Sequence, residues 1–191
     1  MACELRGERS KVGLCYDPSC GSGTKNEVAS MKLIPLTQNK FATVDDEDFG
    51  SVSQLKWSAM KSRRCNTWYA VRTQKRVDGT PYSLLMHHFV LGVTAVVDHR
   101  DCDGLNNQKS NLRFATRSQN ARNVRKVAVP TSSRFKGVYF NKRRRKWRAY
   151  IKLGGKTKEL GVFANEEDAA RSYDRAAVLL FGEFARTNFS K

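Results

Sequence analysis

The chain has 191 residues, of which 35 are Lys or Arg and 18 are Asp or Glu, so its formal charge is +17. Hydrophobic residues make up 40% of it and include three Trp, six Tyr and ten Phe, which is enough for one or two small cores. This composition argues against a chain that is disordered over its whole length. No apolar run approaches the roughly 20 residues that a membrane helix needs, so we expect no membrane partner.

The distribution of charge points to a polyanionic partner. Residues 1–30 hold four basic and four acidic residues, residues 31–130 hold 16 and 8, and residues 131–191 hold 15 and 6. An excess of this size attracts nucleic acid through electrostatic steering and counterion release. The five cysteines are scattered and form no Cys-x-x-Cys pair, which favours reduced thiols in an intracellular protein over a disulfide framework or a zinc knuckle.

The elements can be predicted in chain order. Residues 1–30 lack hydrophobic periodicity, and we expect a dispensable, disordered extension that reflects an upstream start codon. From Met31 the pattern predicts two short strands, and the acidic run at 45–48 favours a helix start. Two further strands flank a turn at 78–81, and a short helix is expected before Gly92, with His87 and His88 in structural roles.

The C-terminal third has a clear strand and helix pattern. Three strands are predicted at 135–141, 146–153 and 156–163, with Gly154-Gly155 as the turn between the last two. Alanine and larger apolar residues at helical spacing predict a final helix over 166–181. On the middle strand, Arg148, Tyr150 and Lys152 share one face by period-two alternation, which gives that face a basic and aromatic character.

Residues 97–123 contain the candidate catalytic and metal-binding residues. They contain Asp98-His99, then Asp101-Cys-Asp-Gly104 and an Asn pair, then Asn111-Leu-Arg113, and finally Asn120. The pattern predicts a strand, a polar loop, a second strand and a short helix capped by Thr116. This arrangement can bring an imidazole, a carboxylate and an amide around one point. Such a set suits a hard cation such as Mg²⁺, which takes oxygen ligands and keeps several waters.

This segment resembles the HNH nucleases, in particular the homing endonucleases of phages and bacteria. The resemblance implies a ββα-metal fold that hydrolyses DNA phosphodiester bonds. It implies that His99 is the general base, that Asp98 and Asn120 hold one divalent cation (Mg²⁺, with Mn²⁺ as a substitute), and that Asn111 braces the loop and orients His99. Cys102 stands where Gly is usual in this branch, and at a turn with positive φ it would cost about 1 kcal/mol or more.

The C-terminal segment resembles the AP2/ERF DNA-binding domain, and the matching pieces are 135–138, 146–151, 160–163, 167–177 and Asn188-Phe189. The resemblance implies a three-stranded antiparallel sheet packed on one helix, with one face of the sheet in the major groove. Including the linker and the end of the nuclease segment, the candidate DNA contacts are Arg113, Arg122, Arg125, Lys126, Lys136, Tyr139, Arg145, Arg148, Tyr150, Lys152 and Lys158.

We therefore expect an α+β protein with a disordered extension at 1–30, an HNH nuclease domain at 31–123, a basic linker at 124–133 and an AP2/ERF-like domain at 134–189. The predicted function is site-specific cleavage of double-stranded DNA by a homing-type endonuclease, in the cytoplasm of a bacterial or phage-infected cell. Catalysis and recognition are expected to be separable, so that a chain ending at Pro130 still nicks DNA. The alternative is a non-catalytic AP2/ERF-type transcription regulator with a decayed nuclease module.

Overall fold

The computed structural model describes residues 30–63, 65, 67–126 and 131–189. The predicted extension, except Ser30, and residues 127–130 of the predicted linker lie outside this range. The protein combines helices and strands, which confirms the α+β class. Its elements are β1 Met31–Pro35, β2 Phe41–Asp45, α1 Asp46–Ser53, β3 Ser58–Lys61, β4 Trp68–Lys75, β5 Pro81–Leu85, α2 Met86–Leu91, β6 Val97–His99, β7 Leu112–Phe114, α3 Arg117–Asn123, β8 Val138–Asn141, β9 Lys146–Leu153, β10 Lys156–Phe163, α4 Glu166–Phe181 and a 3-10 helix Gly182–Phe184.

The N-terminal part consists of a hairpin and a three-stranded sheet. Strands β1 and β2 pair antiparallel, and β4 is the middle strand between β3 and β5. The interior contains Val44, Val52, Trp57 and Met86, each at most 4% exposed. Strand β3 was not predicted, because Ser-Ala-Met-Lys shows no apolar alternation. In the structure Ala59 is its single buried residue. Its strand conformation depends on pairing with β4, which the sequence does not reveal.

The central part is small and depends on its neighbours. Strands β6 and β7 have three residues each and pair antiparallel, and α3 follows directly. Thr116 caps α3 as predicted: its side chain accepts from the Gln119 amide, and the Gln119 side chain accepts from the Thr116 amide at 2.8 Å. The loop between β6 and β7 reaches back to β2, where the Asn107 amide donates to the Thr43 carbonyl at 2.8 Å.

The C-terminal part is an antiparallel sheet in the order β10-β9-β8 with α4 packed on one face. Small buried residues of α4, such as Ala169, Ala170 and Ala177, let the helix lie close to Ala149 of β9. The Asn165 side chain accepts from the Glu167 amide at the start of α4. No helix in the described part of the chain is both long and apolar enough to cross a membrane.

The register of this sheet corrects one predicted DNA contact. Tyr139 lies opposite Arg148, so these two side chains share the face that points away from α4. Lys158 lies opposite Ile151, which is buried against the helix side. Lys158 is therefore on the α4 face of the sheet and not beside Arg148, Tyr150 and Lys152.

Gly137 gives a test of this packing. Its φ is +74°, and a Cβ there would lie 2.0 Å from Cδ2 of Tyr173. We expect Gly137→Ala to lower the free energy of unfolding by about 3 kcal/mol, through backbone strain plus overpacking. Gly154→Ala is the control, because Gly154 also has positive φ but nothing within 4 Å. It should cost about 1 kcal/mol, and equal losses in urea unfolding would contradict the packing at Tyr173.

Candidate active site

A cavity of about 490 Å³ brings together three of the residues singled out from the sequence. Its walls include Asp98 and His99 at the end of β6, Asn120 on α3, and Tyr69 on β4. The hairpin β6–β7 presents the adjacent carboxylate and imidazole, and the capping box at Thr116 sets the start of the helix that carries Asn120. Another wall comes from an earlier part of the sequence, Tyr69 of β4 and the segment that joins β3 to β4.

The Asp98 carboxylate is buried and accepts hydrogen bonds from three nitrogen donors. Its Oδ2 accepts from Nε and Nη2 of Arg113 at 2.9 and 2.7 Å. Its Oδ1 accepts from Nδ2 of Asn123 at 3.1 Å, and the same amide donates to the His99 carbonyl at 2.7 Å. A buried carboxylate without such partners would be strongly destabilising. Arg113 and Asn123 therefore fix both the charge and the orientation of Asp98.

The His99 side chain is buried beside two other rings. Its ring centroid lies 5.0 Å from that of His87 and 5.8 Å from that of Tyr69, and only 5% of the residue is exposed. Burial lowers the pKa of His99, and it outweighs the Asn107 side chain and the nearby carboxylates, which act to raise that pKa. Asn107 lies beside the ring, yet within the described residues neither its Oδ1 nor Nε2 of His99 has a partner in hydrogen-bond geometry.

The Asn111 side chain forms its hydrogen bonds within the loop that follows His99 and none with the His99 side chain. Its Nδ2 donates to Oδ1 of Asp101 at 3.0 Å and to the Asn106 carbonyl at 2.8 Å, and its Oδ1 accepts from the Asp101 amide at 3.1 Å. Gly104 lets this loop approach β4, because a Cβ there would lie 2.4 Å from the Trp68 carbonyl. The loop is thus fixed at both ends.

Cys102 has the left-handed backbone that the departure from Gly implied, with φ of 62°. Its thiol donates to the Asn123 carbonyl at 2.7 Å, so it ties the loop to the end of α3. Burial raises the pKa of the thiol, and the nearby Arg186 and Arg125 act against that rise. Strain at this residue is therefore offset in part by a contact that a glycine could not make.

The donor set of the cavity fits a hard divalent cation. Asp98 offers one carboxylate and Asn120 one amide oxygen, and both line the same cavity. Mg²⁺ characteristically takes one or two carboxylate or carbonyl oxygens and keeps its remaining waters. No group of three or more His, Cys, Asp or Glu side chains suited to a metal was found in the described part of the chain. A site of this kind does not need such a group.

Two predicted DNA contacts are turned inward. All three guanidinium nitrogens of Arg113 are used, and its side chain is only 7% exposed. Lys136 donates from Nζ to the carbonyls of Arg122 and Val124 at 2.6 and 2.8 Å. Burial lowers the pKa of Lys136 to about 8. These placements correct the expectation that Arg113 and Lys136 face DNA.

The other candidates near the linker keep exposed surface while holding the backbone. Lys126 donates from Nζ to the carbonyls of Ser133 and Phe135, and Arg125 donates from Nη2 to the Asp101 carbonyl at 2.7 Å. Arg122 places its guanidinium 4.5 Å from the Phe181 ring.

The outer face of the C-terminal sheet contains an organised basic and aromatic cluster. Arg148 donates from Nε to Oε1 of Glu159 at 2.9 Å, and its Nη2 pairs with the second oxygen of the same carboxylate. The rings of Tyr139 and Tyr150 lie edge to face at 5.7 Å. Lys152 on the same strand and Arg145 in the turn before it are exposed.

Comparisons with known proteins show which families the chain is similar to. The sequence model of the family described as HNH endonuclease matches residues 93–122. A protein of Acanthamoeba polyphaga mimivirus described as an uncharacterized HNH endonuclease is 33% identical over 148 residues, which cover 73% of this chain and 74% of that protein.

The chain belongs to the HNH endonuclease family. The prediction of a nuclease is thereby confirmed. An APETALA2-like protein of Oryza sativa is 38% identical over 77 residues, 40% of this chain and 18% of that protein. An AP2-like ethylene-responsive transcription factor of Arabidopsis thaliana is 40% identical over 72 residues, 38% of this chain and 15% of that protein. The predicted likeness to AP2/ERF proteins over part of the chain is also confirmed, although the nuclease spans less than a fifth of either plant protein.

Sequence reasoning missed three residues around the site of this HNH endonuclease. Asn123 could have been found, because it lies one helical turn after Asn120 and so shares its face. Asn107 stood in the noted Asn pair but received no role. Glu183, whose carbonyl accepts from Nη1 of Arg113 at 2.8 Å, gave no signal because it is 70 residues away in the chain.

Cys102 yields a prediction in which two variants differ in stability. Cys102→Ala should destabilise the nuclease, because it removes the thiol contact and keeps the left-handed strain. Cys102→Gly also removes the thiol but relieves the strain, so it should be about 1 kcal/mol more stable than the Ala variant. Thermal unfolding of both variants checks the order. An Ala variant as stable as the Gly variant would show that φ at this position is not strained.

His87 yields a prediction about pH. Burial, helped by His99 and His88, lowers the pKa of His87 to about 3, against an ordinary value of 6.5. Below pH 6.5 the unfolded chain therefore binds a proton that the folded protein does not, and the stability present above that pH is lost as pH falls toward 3. The slope from this group is up to about 1.4 kcal/mol per pH unit. His87→Gln should flatten the loss in urea unfolding between pH 7 and 4, and an unchanged slope would contradict it.

Proposed function

We propose that the chain is a homing-type, site-specific endonuclease that cuts double-stranded DNA with a single divalent cation and recognises its target through the outer face of the C-terminal sheet. The observation that carries this proposal is the convergence of Asp98, His99 and Asn120 on one cavity in a chain of charge +17. We propose the ββα-metal architecture for β6, β7 and α3, and the AP2/ERF-like architecture for the sheet β10-β9-β8 with α4.

His99 is proposed as the general base. Hydrolysis needs a water that attacks phosphorus while its proton leaves, and the bond from phosphorus to the 3′ oxygen breaks. A lowered pKa keeps the imidazole unprotonated at neutral pH, which is the form that accepts the proton. Tyr69 and His87 exclude water from the other sides of the ring. Asn111 supports the proposal by fixing the loop that follows His99.

Asp98 and Asn120 are proposed as the residues that hold the cation, with Mg²⁺ as the expected ion and Mn²⁺ as a substitute. A divalent cation held there would supply positive charge to the scissile phosphate and to the leaving 3′ oxygen. Arg113 and Asn123 keep the Asp98 carboxylate oriented in the absence of DNA. The chain therefore supplies a preformed carboxylate, which reduces the reorganisation needed when DNA binds.

Recognition is proposed for Tyr139, Arg145, Arg148, Tyr150 and Lys152. The fork of Arg148 is held by Glu159, which reduces the side-chain entropy lost when its free N–H groups meet a base or a phosphate. The two tyrosine rings beside it add flat apolar surface. Arg122, Arg125 and Lys126 are proposed as phosphate contacts between this face and the cavity. We propose 31–123 as the nuclease domain, 124–133 as the linker and 134–189 as the recognition domain.

A non-catalytic transcription regulator is the second candidate, because two of the relatives are described as plant AP2-type proteins and one of these as a transcription factor. The intact set of Asp98, His99, Asn111 and Asn120 favours the nuclease. Nicking of supercoiled plasmid with Mg²⁺ and its loss in EDTA decide between the two. Binding without nicking would support the regulator.

His99→Ala tests the mechanism. Its nicking rate should fall by roughly 10²–10⁴-fold, because a general base acts in the transition state, and its DNA affinity in EDTA should stay near that of the wild type. The wild-type rate should rise with pH and level off below the ordinary histidine pKa range. For Asp98→Ala, the loss of nicking rate should instead be partly reversed when the Mg²⁺ concentration is raised. His88→Ala is the matched control. Full nicking by His99→Ala would reject this assignment.

A further inference from the structure

The 3-10 helix that follows α4, Gly182–Phe184, contacts Arg113 beside the candidate metal ligand Asp98. Arg113 donates from Nε and Nη2 to Asp98 and from Nη1 to the Glu183 carbonyl at 2.8 Å. The Phe184 ring lies 3.9 Å from the guanidinium carbon. One side chain thus joins the proposed metal ligand to the segment that follows α4, which belongs to the proposed recognition domain.

A second set of contacts joins the same two parts at the end of α3. Lys136, which precedes β8, donates its ammonium to the carbonyls of Arg122 and Val124. Those carbonyls are among the last of α3, where the helix leaves acceptors unpaired and where a positive charge is favourable. Arg122 packs on Phe181 of α4. The helix that carries Asn120 and Asn123 is therefore fixed from the C-terminal side.

Burial decides which of these contacts matter. The Glu183 carboxylate is 59% exposed, so its ion pairs with Arg100 and Arg113 contribute little. Phe184 is 8% exposed and the Arg113 side chain 7%, so their contact and the bond to the Glu183 carbonyl form in a nearly dry environment. The Lys136 ammonium donates to two backbone carbonyls, although burial lowers the pKa of Lys136. Phe184 and Lys136 are therefore the informative positions.

We infer that Phe184 and Lys136 are positioning residues for catalysis: through Arg113 and through α3, they hold Asp98 and Asn120 in place and make the C-terminal part a structural component of the nuclease site. This inference rests on the proposed function. It replaces the expectation that a chain ending at Pro130 still nicks DNA, because such a chain lacks Lys136, Glu183 and Phe184. A displacement of about 1 Å in a catalytic group can cost about a hundredfold in rate.

The competing interpretation of Lys136 predicts the opposite result. A lysine that contacts a DNA phosphate contributes to affinity, and its loss weakens binding while DNA-saturated enzyme still turns over. A lysine that positions α3 contributes to turnover, and its loss leaves affinity nearly unchanged. Lys136→Met removes the ammonium and keeps an unbranched side chain of similar length, with sulfur in place of Cδ, so it separates these roles.

The experiment uses the full chain with four substitutions, Lys136→Met, Phe184→Leu, Lys152→Met and Leu179→Ala. Turnover is measured on supercoiled plasmid at saturating enzyme with Mg²⁺, and affinity on labelled duplex DNA in EDTA. Lys136→Met and Phe184→Leu should lower turnover by about tenfold or more with affinity within about twofold of the wild type. Lys152→Met, on the outer face of the sheet, should weaken binding. Leu179→Ala, at an α4 residue that is 86% exposed, is the neutral control.

Amide hydrogen exchange provides a readout that does not depend on activity. If the contacts hold α3, Lys136→Met and Phe184→Leu should speed exchange in residues 117–124 relative to Leu179→Ala, at a temperature where all three variants are folded. Weaker DNA binding with unchanged turnover for Lys136→Met would overturn the inference, as would unchanged exchange in α3. A wild-type protein that does not nick plasmid would reject the proposed function, and the exchange measurement would still test the positioning contacts.

Discussion

Asp98 is only 4% exposed, and the partners that its buried carboxylate requires determine how the elements around the cavity pack. A carboxylate removed from water is stable only with close partners. Arg113 and Asn123 supply them, so β7 and α3 must both lie against β6. Arg113 is itself buried, so its third nitrogen, Nη1, also needs an acceptor, which the Glu183 carbonyl provides. A single buried charge therefore links segments that are far apart in the chain.

The hairpin that carries Asp98 and His99 is too small to hold its own shape. Two strands of three residues lack the pairing needed for independent stability. Their loop is instead anchored on β2 through Asn107 and, through the Gly104 amide, on the Thr67 hydroxyl just before β4. The N-terminal hairpin and sheet thus position the nuclease site from one side, as the segment after α4 does from the other. The geometry of the candidate site therefore depends on contacts from both the N-terminal and the C-terminal parts of the described chain.

The charge of +17 overstates the number of cations that face a ligand. Arg113 and Lys136 spend their donors on interior acceptors, and Lys126 and Arg125 also hold backbone carbonyls. On the outer face of the C-terminal sheet, Arg148 is oriented by its ion pair with Glu159, and Lys152 is exposed. Position in the fold, rather than residue type, separates a lysine that fixes a helix from one that is available to a phosphate.

Sequence alone determined the features that depend on neighbours within a few residues. The helix cap at Thr116 and the strands around Gly154-Gly155 follow from local backbone preferences and side-chain periodicity, and the resemblance of residues 97–123 to HNH nucleases indicated the nuclease segment and the left-handed turn at Cys102. Only the tertiary structure decided the rest. It turned Arg113 and Lys136 inward, put Lys158 on the α4 face of the sheet, and made β3 a strand. These outcomes depend on the packing and pairing of separate segments, and local preference contains no information about contacts between residues dozens of positions apart.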